Sequence, residues 1–579
     1  MSTTPIDPRT RAKAEAWTRE PFDIQTRKAV EEMLLNDPAE VEECFYRDLE
    51  FGTGGLRGIM GLGTNRMNRY TVGMATQGLA NYLLKSFPAQ EIRIAIAYDC
   101  RLNNTVFADV TADVFSANGI HVYLFDALRP TPELSFAIRH LGCQSGIVIT
   151  ASHNPREYNG YKVYWNDGGQ LVPPHDKNVI REVEAVGNPQ HVRFDRNAGL
   201  IHTIGEDVDT VYIAALLRQS LSPEAIARQK DLRIVYTPIH GTGVKLVPMA
   251  LKAFGFTNII SVPEQEVVSG EFPTVHSPNP EESAALKLAL EKAEATGADL
   301  VMATDPDADR VGIAVRDTSG KMVLLNGNQT ASLLIYYLLS QWKAQGRIDG
   351  RQFIAKTIVT TDLLSDIASA HEVPTEEVLT GFKYIAEIIR ENEGKRTFIG
   401  GGEESYGYLI GDYVRDKDAV ISCCMVAETA AWAREHGLSL YELLLDIYRR
   451  YGLYVESLLS ITRKGKKGAE EIQEMLRTYR QDPPRMLAGE TVVRVVDYLD
   501  RTDRNLVDGS VRPIALPSSN VLQFFTLEGS KITVRPSGTE PKIKFYFAVK
   551  ATPELSSAPE KTLPMMEARI VALKQAFGA

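Results

Sequence analysis

Cysteine is scarce: Cys44, Cys100, Cys143, Cys423 and Cys424 are the five in 579 residues. The count is odd and no spacing matches a metal-binding pattern. This argues against a disulfide framework and a structural zinc site and fits a reducing, cytoplasmic setting. The adjacent Cys423 and Cys424 read more simply as two small buried apolar side chains than as a redox pair. Positive charge is also in deficit. Lys and Arg total 64 against 74 Asp and Glu, a formal net charge of −10. No global field therefore draws the chain to nucleic acid, and an anionic substrate must be gripped by local clusters. Long apolar runs are missing. The stretch 333–339 is too short to span a bilayer, and the first residues lack the basic-then-apolar pattern of a secretory signal. Neither a nucleic acid nor a membrane is expected as a partner, and no low-complexity segment or long linker is visible.

What remains is an ordinary globular composition, 44% hydrophobic and 24% charged. The length predicts about three to five domains. Residues 10–50 read as helical. An apolar strand over 92–98, a helix over 106–117, Asn118-Gly119 and a strand over 120–125 make a β-α-β unit. The same grammar returns at 232–260 and again at 282–303, without a residue-level repeat. Such alternation predicts α/β domains with mixed or mostly parallel sheets. The end of the chain differs: strands at 458–462, 491–496, 532–534 and 543–549 predict a smaller α+β domain. The expected divisions are 1–210, 211–328, 329–453 and 454–579.

Four loops carry chemistry. Thr150-Ala151-Ser152-His153-Asn154-Pro155 follows a short apolar run. Serine is a poor nucleophile unless it is activated or already carries a transferable group. Ser152 is thus a hydrolytic nucleophile, a phosphoryl carrier or a surface serine. The hydrolase elbow needs Gly-x-Ser-x-Gly, whereas Ala151 and His153 flank this serine. The second loop, Asp305-Pro306-Asp307-Ala308-Asp309-Arg310, sets three carboxylates at alternate positions, a pattern that can converge on a hard cation. An EF-hand would need glycine and glutamate where Arg310 and Arg316 stand. Mg²⁺ suits a few carboxylates plus phosphate oxygens, and Arg310 suggests phosphate nearby. The third, Gly400-Gly401-Gly402-Glu403-Glu404-Ser405, combines close-approach glycines with groups suited to sugar hydroxyls. Downstream, Arg415-Asp416-Lys417-Asp418 offers a proton-transfer lysine. The fourth, Arg535-Pro536-Ser537-Gly538-Thr539, with Lys544 beyond it, makes a nest for a phosphate dianion. Each loop falls in its own domain-sized block, so the economical arrangement is one site where four domains meet.

On these four loops, in this order, the chain resembles the α-D-phosphohexomutase (phosphoglucomutase/phosphomannomutase) superfamily over nearly its whole length. Within it the chain is most similar to the long bacterial α-phosphoglucomutases, which are related to phosphopentomutases and sugar-bisphosphate synthases. The resemblance implies three related α/β domains with mixed sheets and a C-terminal α+β domain of the TATA-box-binding-protein-like type. It implies that Ser152 carries a phosphate, and that Asp305, Asp307 and Asp309 bind Mg²⁺ together with a phosphoserine oxygen. It also implies that Glu403 and Ser405 hold sugar hydroxyls. Arg535, Ser537, Gly538, Thr539 and Lys544 then take the non-reacting phosphate, while Arg57 and Lys162 flank the phosphoserine. The implied activity is the interconversion of glucose 1-phosphate and glucose 6-phosphate through glucose 1,6-bisphosphate, by a monomer or homodimer. Two bases, His153 and Lys417, stand as candidates for the hydroxyl proton. Pro306 departs from the family's Asp-Gly-Asp and must be tolerated locally. Cys100, in place of a serine, is expected to be neutral.

Overall fold

The computed structural model describes residues 6–52, 54–463, 465–536 and 542–577. Strands Arg93–Tyr98, Leu300–Thr304 and Gln352–Thr357 are almost wholly buried. Their continuous apolar character follows from that, because helices cover both faces of a largely parallel sheet.

Three sheets are built to one plan. In the first, Arg93–Tyr98 lies between its parallel neighbours His121–Phe125 and Ser145–Ile149, and antiparallel Tyr158–Trp165 then pairs with Ser145–Ile149. Strands Gly55–Ile59 and Ile201–Ile204 extend its two edges. In the second, Ile234–Thr237 lies between Ile259–Ser261 and Leu300–Thr304, followed by antiparallel Val311–Arg316. In the third, Gln352–Thr357 lies between Thr375–Val378 and Thr397–Gly402, followed by antiparallel Tyr408–Ile410. The chain thus runs outward from a central strand, crosses back to its other side, and then reverses. The carboxyl ends of the central and third strands face each other at the point where the strand order reverses, the favoured ligand position of such sheets. The serine loop, the acidic loop and the Glu403 loop all leave this same third strand. A topological repeat therefore underlies three loops that share no sequence.

The fourth sheet is wholly antiparallel, running from Tyr454–Thr462 through Lys542–Lys550, Ser530–Pro536, Leu522–Thr526 and Glu490–Asp497 to two edge strands. Helices Gly465–Gln481 and Pro559–Gln575 bury Ile472, Leu476, Met566, Ile570 and Leu573 in its core. It is tied to the third domain by Lys531 Nζ to Asp362 Oδ2 at 2.8 Å and Tyr454 OH to Asp366 Oδ2 at 2.6 Å.

The helical N-terminus resolves into Pro8–Ala16, Ile24–Asn36 and Pro38–Phe45, capped by Asp7, Asp23 and Asp37 side chains that accept from first-turn N–H groups. Trp17, Phe22, Phe45 and Tyr70 pack as an aromatic cluster that pins these helices to the first domain. Residues 333–339 lie in the buried helix Gly327–Ala344, and among the described residues no helix is long and apolar enough to cross a membrane. Cys423 and Cys424 are free thiols buried in helix Ala419–Glu435.

Candidate active site

Ser152 is buried at the end of the third strand of the first domain, with a left-handed φ of 52°. The other two loops each hold one such non-glycine residue, Ala308 at 49° and Tyr406 at 66°. Backbone of this kind costs about 1 kcal/mol or more per residue and persists only where surroundings enforce it. The Ser152 hydroxyl donates to Asp305 Oδ2 at 2.8 Å, across 153 positions of sequence. His153 Nδ1 lies 3.2 Å from Ser152 Oγ. Burial, and then the Arg310 and Arg57 guanidiniums, push the His153 pKa well below the usual imidazole range, so its ring is neutral.

The acidic loop is buried almost completely. Asp305 Oδ1 accepts from the N–H groups of Asp309 and Arg310, each at 3.1 Å. Asp307 Oδ2 accepts from Lys162 Nζ at 2.6 Å, and Asp309 Oδ2 from Lys417 Nζ at 2.8 Å. Burial and then Asp307 and Asp309 drive the Asp305 pKa well up. Burial works against ionising Asp307 too, but Lys162 outweighs it and holds that carboxyl low. Donor oxygens of the three aspartates lie within 4.8 Å of one another. Asp307 Oδ1 and Asp309 Oδ1 are buried without a hydrogen-bond partner. Orphaned buried carboxylate oxygens are costly unless something satisfies them, and a hard cation between these three would do so. The residues therefore fit a metal ion. Pro306 is accommodated because its carbonyl accepts from Thr242 N–H at 2.8 Å. Its Cα also sits where a Cβ on Gly241 would fall at 2.5 Å, so only glycine permits that approach.

Cations surround the loop. Lys162 lies on Tyr158–Trp165, paired with Gly55–Ile59, which carries Arg57 two residues along the same face. Arg57 stays open to the cleft, though the enclosing protein and then Arg310 press its pKa down. Arg310 Nη1 reaches Glu281 Oε1 at 2.7 Å. Lys417 is buried, yet Asp309, Asp416 and Glu403 overcome burial and raise its pKa, keeping it charged. It is held by Asp416, whose Oδ2 accepts from Tyr164 OH at 2.7 Å and Gln170 Nε2 at 3.0 Å. Glu403 is buried near Lys417 and Arg310, its pKa raised by burial despite them. Ser405 is half-buried in the same loop.

Arg535 and Lys544 face each other on adjacent C-terminal strands. Burial, and then Arg535, lower the Lys544 pKa. Arg535 lines a cavity of about 350 Å³ together with Gly54, Gln170 and residues 379–384. Lys544 is also within electrostatic reach of Glu404 and Arg310. Ser537, Gly538 and Thr539 lie outside the described residues.

Comparison with known proteins bears on this arrangement. Three family models match in sequence, described as phosphoglucomutase/phosphomannomutase alpha/beta/alpha domains I, II and III, over residues 48–190, 210–320 and 326–451. A phosphoglucomutase of Staphylococcus haemolyticus is 38% identical over 508 residues, 88% of this chain and 91% of that protein. The chain belongs to the phosphoglucomutase/phosphomannomutase family. A Staphylococcus aureus phosphoglucomutase is 37% identical over 95% of this chain and 98% of its own length. The fold is shared with parafusin, a phosphoglucomutase from Paramecium solved in an open form, at TM-score 0.64 and 19% identity, covering 91% of this chain and 96% of that one. A phosphoglucomutase/phosphomannomutase family protein from Burkholderia thailandensis aligns at TM-score 0.61 and 19% identity, over 90% and 96%.

Around this site stand residues to which the sequence reading gave no role. Thr131, at the start of a first-domain helix, donates through Oγ1 to Asp307 Oδ2 at 3.0 Å, and its N–H donates to the Asp307 carbonyl at 2.9 Å. Asp416, Tyr164 and Gln170 hold Lys417 in place. The segment Thr380-Gly381-Phe382-Lys383, running into the first turn of helix Phe382–Asn392, lines the cavity that Arg535 shares. A glycine directly before a helix was the available signal there. Thr131 carried none, because its partner lies 176 positions away. Thr131→Val keeps the shape and removes the hydroxyl donor. A divalent-ion titration of activity should show roughly ten-fold weaker apparent metal affinity, the usual cost of losing a partner behind a ligand.

Proposed function

We propose that this chain is a phosphoglucomutase, interconverting α-D-glucose 1-phosphate and glucose 6-phosphate, with Ser152 as the phosphoryl carrier. The observation that carries the reading is the 2.8 Å contact between Ser152 Oγ and Asp305, with a second cationic pair, Arg535 and Lys544, on the C-terminal sheet. A serine beside a cation-ready acidic loop, with a second anion site, suits a group moved between two ends of one sugar.

The Ser152 phosphoryl passes to the 6-hydroxyl of glucose 1-phosphate, breaking the Ser152 O–P bond and forming glucose 1,6-bisphosphate. The bisphosphate turns over in the cleft. Ser152 then takes the phosphoryl from C1, and glucose 6-phosphate leaves. Such transfers depend on in-line positioning and charge neutralisation more than on covalent chemistry by the protein. Mg²⁺ held by Asp305, Asp307 and Asp309, with a phosphoserine oxygen, would neutralise charge on the phosphoryl group. Lys162, Arg57, Arg310 and the charged Lys417 add to that field. His153, with Nδ1 3.2 Å from Ser152 Oγ, and Lys417, held by Asp309, are the two candidates to take the hydroxyl proton. Glu403 and Ser405 face the sugar hydroxyls. Arg535 and Lys544, with the loop carrying Ser537, Gly538 and Thr539, grip the phosphate that is not reacting. The free thiols are in keeping with a cytoplasmic enzyme.

Phosphomannomutase, phosphopentomutase and sugar-1,6-bisphosphate synthase activities would use the same groups. Glucose, mannose and ribose 1-phosphates should be compared by kcat/KM with glucose 1,6-bisphosphate present. Glucose 1-phosphate is expected to lead by about ten-fold or more. A lead for mannose or ribose would overturn the glucose assignment, and inorganic phosphate as the main product would overturn the mutase.

A further inference from the structure

The chemistry above uses the Ser152 hydroxyl but leaves open what holds its backbone. A neighbouring loop holds the Ser152 carbonyl directly and its N–H through Thr150 of the serine loop. The Ser152 N–H donates to Thr150 Oγ1 at 2.8 Å, and Thr150 Oγ1 donates to Asp99 Oδ2 at 2.6 Å. The Ser152 carbonyl accepts from Arg101 Nη2 at 2.7 Å. Arg101 also donates to the carbonyls of Asn154, Pro155 and Tyr158, the last two at 2.8 and 3.0 Å from Nη1. One guanidinium therefore gathers four carbonyls of the serine loop. Its remaining Nε faces Asp99 Oδ2 at 3.5 Å. Nε has no hydrogen-bond partner there, but the whole side chain is buried, so Arg101 acts on the loop rather than on substrate.

The topology explains the pairing. Asp99 and Arg101 follow the central strand and Ser152 follows the third, so the two loops meet where the strand order reverses. In the third domain the corresponding loops also touch, with Thr357, the last residue of the central strand, and Thr360 reaching the Glu404 side chain at Oε2 at 3.4 and 3.5 Å.

The second domain closes over the back of Arg101. The guanidinium carbon lies 5.2 Å from the centre of the Phe272 ring. Phe272 is buried and itself left-handed, at φ 47°. Gly270 makes the approach possible, since a Cβ there would fall 2.4 Å from the Leu102 nitrogen. Ser277 Oγ reaches the His153 carbonyl at 3.4 Å.

We propose that Asp99 and Arg101, backed by Phe272 of the second domain, form a positioning clamp. The clamp holds Ser152 in the left-handed backbone from which its hydroxyl meets Asp305. Arg101 is thus a positioning residue, and because the domain bearing Asp305 also supplies Phe272, the carrier and the metal loop keep one register. The inference rests on Ser152 being the phosphoryl carrier. Arginine is required because two pairs of carbonyls need a planar fork, which a lysine cannot reproduce.

The test uses full-length Arg101→Met, Arg101→Lys and Phe272→Leu, with Ser152→Ala alongside and folding checked by thermal melts. Misplacing a reacting group by about 1 Å costs about 100-fold. Arg101→Met should therefore lower kcat about 100-fold while KM for glucose 1-phosphate stays within about two-fold. Arg101→Lys should remain close to it, because charge without the fork does not rebuild the clamp. Phe272→Leu should lower kcat by about three-fold, the scale of a lost cation–π contact. Phosphorylation of Ser152 by glucose 1,6-bisphosphate, followed by quenched-flow mass spectrometry, should slow in the same order. Wild-type kcat in Arg101→Lys, or a change confined to KM, overturns the clamp, and Arg101→Lys alone decides the matter if Arg101→Met does not fold. An active Ser152→Ala would instead defeat the carrier assignment itself.

Discussion

Ser152→Ala should lower mutase activity by at least about 1,000-fold, even with saturating glucose 1,6-bisphosphate. Alanine keeps the Cβ and removes only the oxygen that would bear the phosphoryl group. The folded structure loses two hydrogen-bond contacts of Ser152 Oγ, to Asp305 Oδ2 and to His153 Nδ1, each worth about 1 kcal/mol. The variant should therefore melt close to wild type while losing nearly all turnover. Supplying the bisphosphate separates two explanations. If Ser152 only bound an intermediate, exogenous bisphosphate would restore much of the rate. If it carries the phosphoryl group, the bisphosphate has no acceptor on the protein and the rate stays low. Initial rates of glucose 6-phosphate formation, coupled to a dehydrogenase, give the comparison directly.

The second large effect concerns the acidic loop. Asp307→Asn is nearly isosteric, so the loop should keep its course. The substitution removes the charge that pairs with Lys162 at 2.6 Å and replaces one donor of the three-carboxylate set. It leaves the Lys162 ammonium with Asp309 Oδ2 at 3.3 Å as its acidic partner. Activity should fall by about 100-fold or more, the scale of losing one preorganised electrostatic contact at a reacting centre. In the wild-type protein, exhaustive dialysis against EDTA should abolish turnover, and Mg²⁺ should restore it. Full activity in protein shown to be metal-free by elemental analysis would contradict a metal role for this loop.

Much of this architecture was legible in the sequence, and the limits follow from the physics. Strands such as 93–98 and 300–304 announce themselves because burial on both faces demands unbroken apolar runs. The acidic loop is legible from charge alone, since three aspartates at alternate positions have few other uses. The equivalence of the serine, acidic and Glu403 loops is not legible. It lies in strand order, and the three loops share no side chains. The contacts that assemble the site are equally hidden. Thr131 with Asp307, Arg101 with Phe272 and Tyr164 with Asp416 join residues far apart in the chain, and each residue looks ordinary alone. Tyr98-Asp99-Cys100-Arg101 drew notice only for its cysteine, while the residues on either side of it hold the serine loop. Between the two candidate bases sequence offered no choice. The structure adds their placement: His153 Nδ1 lies 3.2 Å from Ser152 Oγ, and Lys417 Nζ lies 2.8 Å from Asp309 Oδ2.

The central claim is that Ser152 stores the phosphoryl group between the two ends of the sugar. Peptide mass spectrometry of wild-type protein, after brief incubation with glucose 1,6-bisphosphate and Mg²⁺, tests it most directly. The account predicts one phosphate, located on Ser152, lost when glucose 1-phosphate or glucose 6-phosphate is added in excess. A protein that turns over substrate at full rate with Ser152 never phosphorylated would contradict it.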